Sequence, residues 1–365
     1  MKHIICSVTN DLTYDRRMQR ICTSLTKVAD RVTLVGRKKK DSQPCAFDHF
    51  QYHRIKCYFE TGKLFYLEYN LRLLRYLWTQ KATLFYAVDL DTILPNLLVS
   101  RLRKKKCIYD AHEYFSETPE VVRRPLVQRI WEIVARFCIP RMDYCMTVGS
   151  GLAAIMSQRY QTPFGVVRNV PFRYPKARKI QVASAKTKVL LYQGMLNEGR
   201  GLEAMILAMK DITAAELWLV GEGDLSESLR KLVEVEQLQQ KVKFLGFITP
   251  DQLQQITLQA DIGLNLLENS GLSYYYSLAN KAFDYVQAHL PSIHMNFPAY
   301  QSLNQEHEVF CLLDHLQTNS ILAAVQRLLQ DPNYYRQLQM NCTIAAQEWC
   351  WEKEEKLLLE AITHL

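Results

Sequence analysis

The sequence has no uncharged apolar run of about 18 residues, the length a membrane-spanning helix needs, so no transmembrane helix is expected. Its 10 cysteines are scattered, and no two stand in a Cys-x-x-Cys spacing. A structural zinc site wants clustered ligands, so none is expected. Most of the cysteines sit in apolar segments, which fits buried thiols in a reducing compartment. Neither a G-x-x-x-x-G-K-[ST] nor a G-x-G-x-x-G run occurs, which weakens P-loop ATPase and dinucleotide-dehydrogenase readings. Low-complexity tracts and short-period repeats are absent. The opening residues MKHIICSVTN read as a short strand running into a polar turn. They lack the apolar stretch and small-residue cleavage site of a secretory signal, so a cytoplasmic location is expected.

What is present suggests two folded domains. The chain has 365 residues, 48% hydrophobic and 22% charged, ordinary values for a packed protein of that size. The net charge of +8 is uneven. Through Asn169 there are 28 Lys+Arg against 15 Asp+Glu, giving +13; from Val170 onward there are 17 against 22, giving −5. The basic half carries the runs Arg37-Lys38-Lys39-Lys40 and Arg101-Leu102-Arg103-Lys104-Lys105-Lys106. Such a half is suited to an anionic surface, with a solvated face as the plain alternative. Nucleic acid is not the expected partner, because no binding-module signature accompanies the charge.

Short apolar runs alternate with helical patterns, the mark of βα units and parallel sheets. Strands are expected at His3–Val8, Arg31–Val35, Thr83–Val88, Cys107–Tyr109, Tyr144–Val148 and Phe164–Val167. Helices are expected at Asp15–Val28, Lys63–Trp78, Asp91–Leu102, Pro125–Ile139 and Gly151–Arg159. Residues 170–187 have no period and read as a linker. A second series then begins with strand Val189–Tyr192 and continues through strands at Glu216–Val220, Lys241–Leu245, Ile262–Leu266 and Pro291–His294. Beyond that point the chain reads as helical. The fold class is therefore α/β, with two doubly wound Rossmann-like domains, 1–169 and 188–348. Ligands bind at the carboxyl ends of such strands, so a cleft between the domains is the expected active site.

Four segments could carry chemistry. Tyr192-Gln193-Gly194…Gly199-Arg200-Gly201 joins a strand to a helix. Its glycines let backbone approach a ligand, the helix start offers N–H groups to an anion, and Arg200 can pair with phosphate. The strand ending at Val220 enters a second glycine turn at Gly221. The next segment runs from Glu268 through Tyr276, Ser277 and Asn280 to Lys281 and Asp284. It places a polar, aromatic loop before a helix start; Lys281 in the first turn is oddly placed for the helix dipole unless an anion offsets it. Asp284, one turn on, could accept bonds from ribose hydroxyls. Third, Asp110-Ala111-His112-Glu113 follows a strand, where His112 could bond a sugar hydroxyl or stabilise charge. Fourth, the loop with Asn10, Asp15 and Arg16 suits acceptor contacts, or else simply caps a helix. Asp89-Leu90-Asp91 has the D-x-D form of metal-dependent transferases, but it also opens a helix where acids favour the dipole.

In order and spacing these residues resemble glycosyltransferase family 4, of the two-Rossmann GT-B fold, over nearly the whole chain. The resembling segments are Asp15-Arg16-Arg17, YDAHE around His112, Arg168-Asn169, YQG…GRG, KFLGF, ADIGL and ANKAFDY. The terminal region at Trp351-Glu352 resembles the last helix of the fold. In that fold, residues 349–365 would pack back on the first domain. The resemblance implies a retaining glycosyltransferase that needs no metal and no cofactor. Its partners would be a nucleotide-sugar donor and a glycan or lipid-linked acceptor; the basic first domain adds the expectation of peripheral contact with an anionic membrane. Gly194, Arg200, Gly201, Gly221, Tyr276, Ser277, Asn280, Lys281 and Asp284 would hold the donor. His112 and Glu113 would stand at the reaction centre, and Asn10, Asp15, Arg16 and Asn169 on the acceptor side. Three positions depart from the family pattern: Met195 stands where an arginine is common, Tyr276 where the first of two paired acids falls, and His289 where a glycine usually follows the donor helix. A same-fold sugar-nucleotide 2-epimerase and a catalytically degenerate binding protein are the alternative readings.

Overall fold

The computed structural model describes residues 2–13, 15–175 and 187–365, apart from the side chains of residues 250 and 251. Tyr14 and most of the expected linker, 176–186, lie outside the described residues. The chain divides into two compact units, Met1–Asn169 with Glu354–Leu365, and Val170–Lys353.

The first unit is built on seven parallel strands: β1 (His3–Asp11), β2 (Arg31–Lys38), β3 (Gln51–Lys56), β4 (Leu84–Val88), β5 (Lys106–Ala111), β6 (Tyr144–Thr147) and β7 (Phe164–Val166). Their order is β3-β2-β1-β4-β5-β6-β7. Ile4, Ile5 and Cys6 are fully buried in succession, so β1 has core on both faces, as a central parallel strand must. The helices are α1 (Arg16–Leu25), α2 (Gly62–Thr79), α3 (Leu90–Leu102), α4 (Pro119–Val122), α5 (Pro125–Cys138) and α6 (Ser150–Tyr160). Asp15 caps α1 by accepting the Met18 N–H at 3.0 Å. Phe65, Tyr69, Leu73 and Leu77 of α2, four residues apart, form one buried stripe.

The second unit repeats the topology with six parallel strands: β8 (Lys188–Gln193), β9 (Ala215–Val220), β10 (Val242–Gly246), β11 (Ile262–Asn265), β12 (Ser292–Met295) and β13 (Phe310–Leu313). Their order is β10-β9-β8-β11-β12-β13. The helices are α7 (Leu202–Ala208), α8 (Ser226–Val235), α9 (Pro250–Thr257), α10 (Leu272–Tyr275), α11 (Asn280–Gln287), α12 (Pro298–Glu306), α13 (Thr318–Gln330) and α14 (Pro332–Glu348). The last helix, α15 (Trp351–Thr363), starts in the second unit, and its residues from Glu354 belong to the first.

Three expectations need correction. The stretch after Pro291–His294 is not all helix, because Phe310–Leu313 adds an edge strand. At four residues it is too short to show a period. Gln51–Lys56 forms an edge of the first sheet, and its exposed, polar face hid it from a search for apolar runs. The loop before α11 contains the one-turn helix α10. Among the described residues no helix is long and apolar enough to cross a membrane.

Candidate functional site

In the second unit the carboxyl ends of β8 and β9 are held close by glycine. Gly194 and Gly221 take φ of +135° and +132°, and a Cβ on Gly221 would lie 2.0 Å from the Gly194 carbonyl oxygen. Gly201, with φ +65°, leaves no room for a side chain either, since a Cβ there would stand 2.2 Å from the Leu266 carbonyl oxygen. The backbone turn is thus pinned where Arg200 leaves it.

Two cations converge on this turn, each laid on an aromatic ring. Lys281, on the first turn of α11, puts Nζ 3.6 Å from the centroid of Tyr192, at the end of β8. The same Nζ would lie 3.3 Å from a Cβ on Gly194. The Arg200 guanidinium sits 4.8 Å above the ring of Tyr274. Burial, then the neighbouring Arg200 charge, push the Lys281 ammonium well below its ordinary pKa, against the pull of Asp284. Among the described residues Lys281 has no ion pair, and the Arg200 Nε is buried with no hydrogen-bond partner. Helix α11 has no side-chain cap and no acid in its first turn, so its leading N–H groups add to the same positive potential. A buried donor without a partner and a depressed lysine at one turn make a local environment that favours negative charge.

The other expected donor residues are nearby but differently engaged. Tyr276 closes α10 with its ring edge-on to Tyr275 at 5.0 Å, and Ser277 donates to the Tyr274 carbonyl. Asn280 is exposed at the start of α11. Asp284 is not open on both sides: Oδ2 accepts from Gln193 Nε2 at 3.1 Å and Oδ1 from the Tyr174 hydroxyl at 3.4 Å. Gln193 is itself fixed by Thr257 at 2.8 Å.

In the first unit the strand-end histidine is enclosed by charges. The His112 N–H donates to Asp89 Oδ1 at 2.8 Å, and its Nδ1 lies 3.6 Å from Asp89 Oδ2. Its Nε2 lies 2.8 Å from Arg17 Nε and 3.2 Å from Asp110 Oδ2. When neutral at that nitrogen the ring accepts from Arg17; when protonated it donates to Asp110. Arg17 also pairs with Asp110 at 3.0 Å, and Tyr86 donates to the same carboxylate at 2.8 Å. Burial pushes Asp110 upward, but Arg17 and His112 outweigh it and hold the carboxyl below the usual range. Burial and Arg17 act to lower His112, and Asp89 with Asp110 outweigh them, leaving it raised. Asp91 is driven up to about 8 by burial and by Asp89, while the Thr9 hydroxyl donates to it.

This arrangement reassigns part of the expected acceptor side. Arg17, not the exposed Arg16, points inward. Asp15 caps α1 and accepts from Asn10 at 3.1 Å. Asn169 is held by Arg20 at 2.5 Å. Glu113 is exposed beyond the strand end. Asp89 and Asp91 serve the histidine and Thr9, so the D-x-D acids have internal roles. The residues that sequence reasoning missed are Arg17, Asp110, Tyr192 and Tyr274. For all four a signal existed: each belongs to a segment already singled out.

The fold agrees with comparisons to known proteins. Residues 187–331 match the family model Glycosyl transferases group 1. A stretch of 78 residues is 35% identical to an uncharacterized glycosyltransferase of Methanocaldococcus jannaschii, and it spans 20% of this chain and 20% of that relative. The whole chain superposes on sucrose-phosphate synthase from Thermosynechococcus elongatus, with TM-score 0.81, 18% identity and 99% of that chain covered. It also superposes on Anabaena HepE in complex with UDP and glucose, with TM-score 0.79, 14% identity and all of that chain covered. The protein therefore has the GT-B fold of glycosyltransferases, two Rossmann-like units with parallel sheets.

Proposed function

We propose that this protein is a retaining glycosyltransferase of the family 4 type, moving a sugar from a nucleoside-diphosphate donor to a glycan or lipid-linked acceptor. One observation carries the reading: Arg200 and Lys281 stand at the same glycine turn, and among the described residues no acid forms an ion pair with either. A diphosphate supplies that acid. Arg200, the Lys281 ammonium and the N–H groups of α11 would hold its oxygens, with Tyr276, Ser277 and Asn280 around the donor. Asp284 would reach a ribose only by exchanging one of its present partners.

In the proposed transfer the bond from the anomeric carbon to the leaving phosphate oxygen breaks. The acceptor oxygen bonds to that carbon from the same face, and its proton passes to the departing phosphate. Negative charge grows on the diphosphate as the bond breaks, so the two cations stabilise the transition state more than the ground state. They supply the charge that a divalent metal would otherwise bring, so the reaction is proposed to run without one. His112 is proposed to face the donor sugar, with Glu113, Asn10, Asp15, Arg16 and Asn169 toward the acceptor. The setting is proposed as cytoplasmic, in cell-surface polysaccharide synthesis, with peripheral contact to an anionic membrane through the basic first unit.

The test is calorimetric titration with UDP, GDP, ADP and dTDP and their sugars, followed by a transfer assay with and without EDTA. One nucleotide should bind, and its sugar should be consumed in either condition. No binding of any nucleotide would end the reading, and isomerised donor without acceptor would favour the epimerase.

A further inference from the structure

The first unit shows solvent an unusual amount of large apolar side chain, gathered on three neighbouring helices. On α5 the buried residues are Ala135 and Cys138, while Leu126, Ile130, Ile133 and Phe137 are exposed, Leu126 by 79%. At 3.6 residues per turn these four fall within roughly 60° of one another on the helix. Helix α2 does the same. Its buried stripe faces the sheet, and Leu64, Leu67, Leu71 and Trp78 form an exposed stripe on the opposite side. Helix α3 packs against both α2 and α5. Its exposed positions are Leu94, Leu98, Arg101 and Leu102, so three of its four solvent-facing side chains are leucine. Tyr66 and Trp131 meet edge to face at 5.5 Å, joining α2 to α5 directly. Single exposed leucines need no explanation, but a continuous layer of them does.

We propose that the outer face of α2, α3 and α5 is a docking surface for an anionic lipid bilayer. The proposal rests on, and localises, the membrane contact in the functional reading above. Charge selects this occupant. Residues 62–79, 90–106 and 123–141 carry 13 Lys+Arg and 3 Asp+Glu, a balance of +10 where the whole chain has +8. Two of the three acids are already paired, Glu68 with Arg72 and Glu132 with Arg136 and Arg159, and the third, Asp91, is buried. A second copy of the chain would bring the same positive charge against itself. An apolar stripe flanked by arginine and lysine is how interfacial helices sit at the headgroup boundary, apolar side chains in and cations on phosphate.

The experiment is co-sedimentation of the full chain with vesicles of phosphatidylcholine, with and without phosphatidylglycerol at about a third of the lipid. Wild type should pellet with the anionic vesicles and much less with the neutral ones. Ile130→Glu with Ile133→Glu should weaken partition at least about tenfold, since both side chains leave the apolar phase. Lys105→Gln with Arg129→Gln should lower binding at low salt and flatten its salt dependence. Both pairs are solvent-facing, so thermal unfolding should stay unchanged. Nucleoside-diphosphate titration of the same variants in solution reads the second unit alone, so its failure and failure on vesicles are separate results. Wild type that ignores anionic vesicles, or a glutamate variant that binds them as well as wild type, would overturn the proposal. So would a dimer seen by light scattering and abolished by the glutamate pair, which would give the face to a second copy.

Discussion

The two units share a topology and differ in how they treat a cation at the carboxyl ends of their strands. In the first, Arg17 is 5% exposed and answered in full by Asp110, with Tyr86 and His112 completing the cluster. In the second, Lys281 is 9% exposed and rests on the face of a tyrosine. Removing one partner of a buried pair is costly because it strands the other charge, whereas a buried cation outside any ion pair already bears that desolvation cost. One strand-end site is therefore self-neutralised, and the other holds two cations outside any ion pair among the described residues, the feature on which the proposed function rests.

The largest expected effect lies in the first unit. Arg17→Met leaves Asp110 buried without its partner, which costs about 3–5 kcal/mol. Thermal unfolding followed by circular dichroism should show an early transition for that variant. The equivalent change in the second unit should act the other way. Lys281→Met keeps the contact with Tyr192 and removes an unpaired charge, so the melting temperature should hold or rise. Its cost should appear in nucleotide affinity, roughly ten- to a hundredfold by calorimetry, from a lost charged hydrogen bond of about 1.5–3 kcal/mol. Should Lys281→Met unfold the protein and Arg17→Met leave it intact, the contrast between the units is wrong.

Acid and base sharpen the same contrast. Asp110 has a depressed folded pKa, so its stabilisation is present above the unfolded value near 4 and is lost as pH falls below it. Asp91 is the reverse. Its folded pKa is raised to about 8, so the folded state holds a proton that the unfolded state has released. The stability this lends is full below the unfolded value and drains away as pH rises toward 8. Asp91→Asn should therefore remove a decline in stability between about pH 4 and 8, measured by urea unfolding across that range. In the second unit, nucleotide affinity should fall with rising pH well below the ordinary lysine range, because Lys281 loses its proton early. Lys281→Met should be flat there.

Much of this was legible in the chain before folding. The alternation of apolar runs and helical periods located the buried central strands, because a strand covered on both faces must be apolar throughout. It failed at Gln51–Lys56, an edge strand whose exposed face is polar, and at Phe310–Leu313, an apolar edge strand too short to show a period. The glycine turns and Lys281 were readable because each breaks a local rule: a positive φ, or a cation at the wrong end of a helix dipole. The pairing of Arg17 with His112 was not readable. Those residues stand 95 positions apart, and nothing local distinguishes Arg17 from Arg16 except the helical phase that turns one toward the sheet.

The smallest prediction concerns the ring beneath Arg200. Tyr274 lies 4.8 Å from the guanidinium carbon, and a Cβ on Gly199 would stand 2.7 Å from the same ring. The ring is thus wedged between backbone and cation, and it fixes where the guanidinium points. Tyr274→Leu keeps an apolar support but removes the negative face. Cation–π attraction at a partly exposed site is about 0.5–1 kcal/mol, which corresponds to nucleotide affinity weaker by roughly two- to fivefold. Tyr274→Phe retains the ring face and should bind as wild type does. A leucine variant indistinguishable from wild type would mean that the turn through Gly199 and Gly201 alone aims Arg200. The aromatic platform beneath Arg200 would then belong to packing.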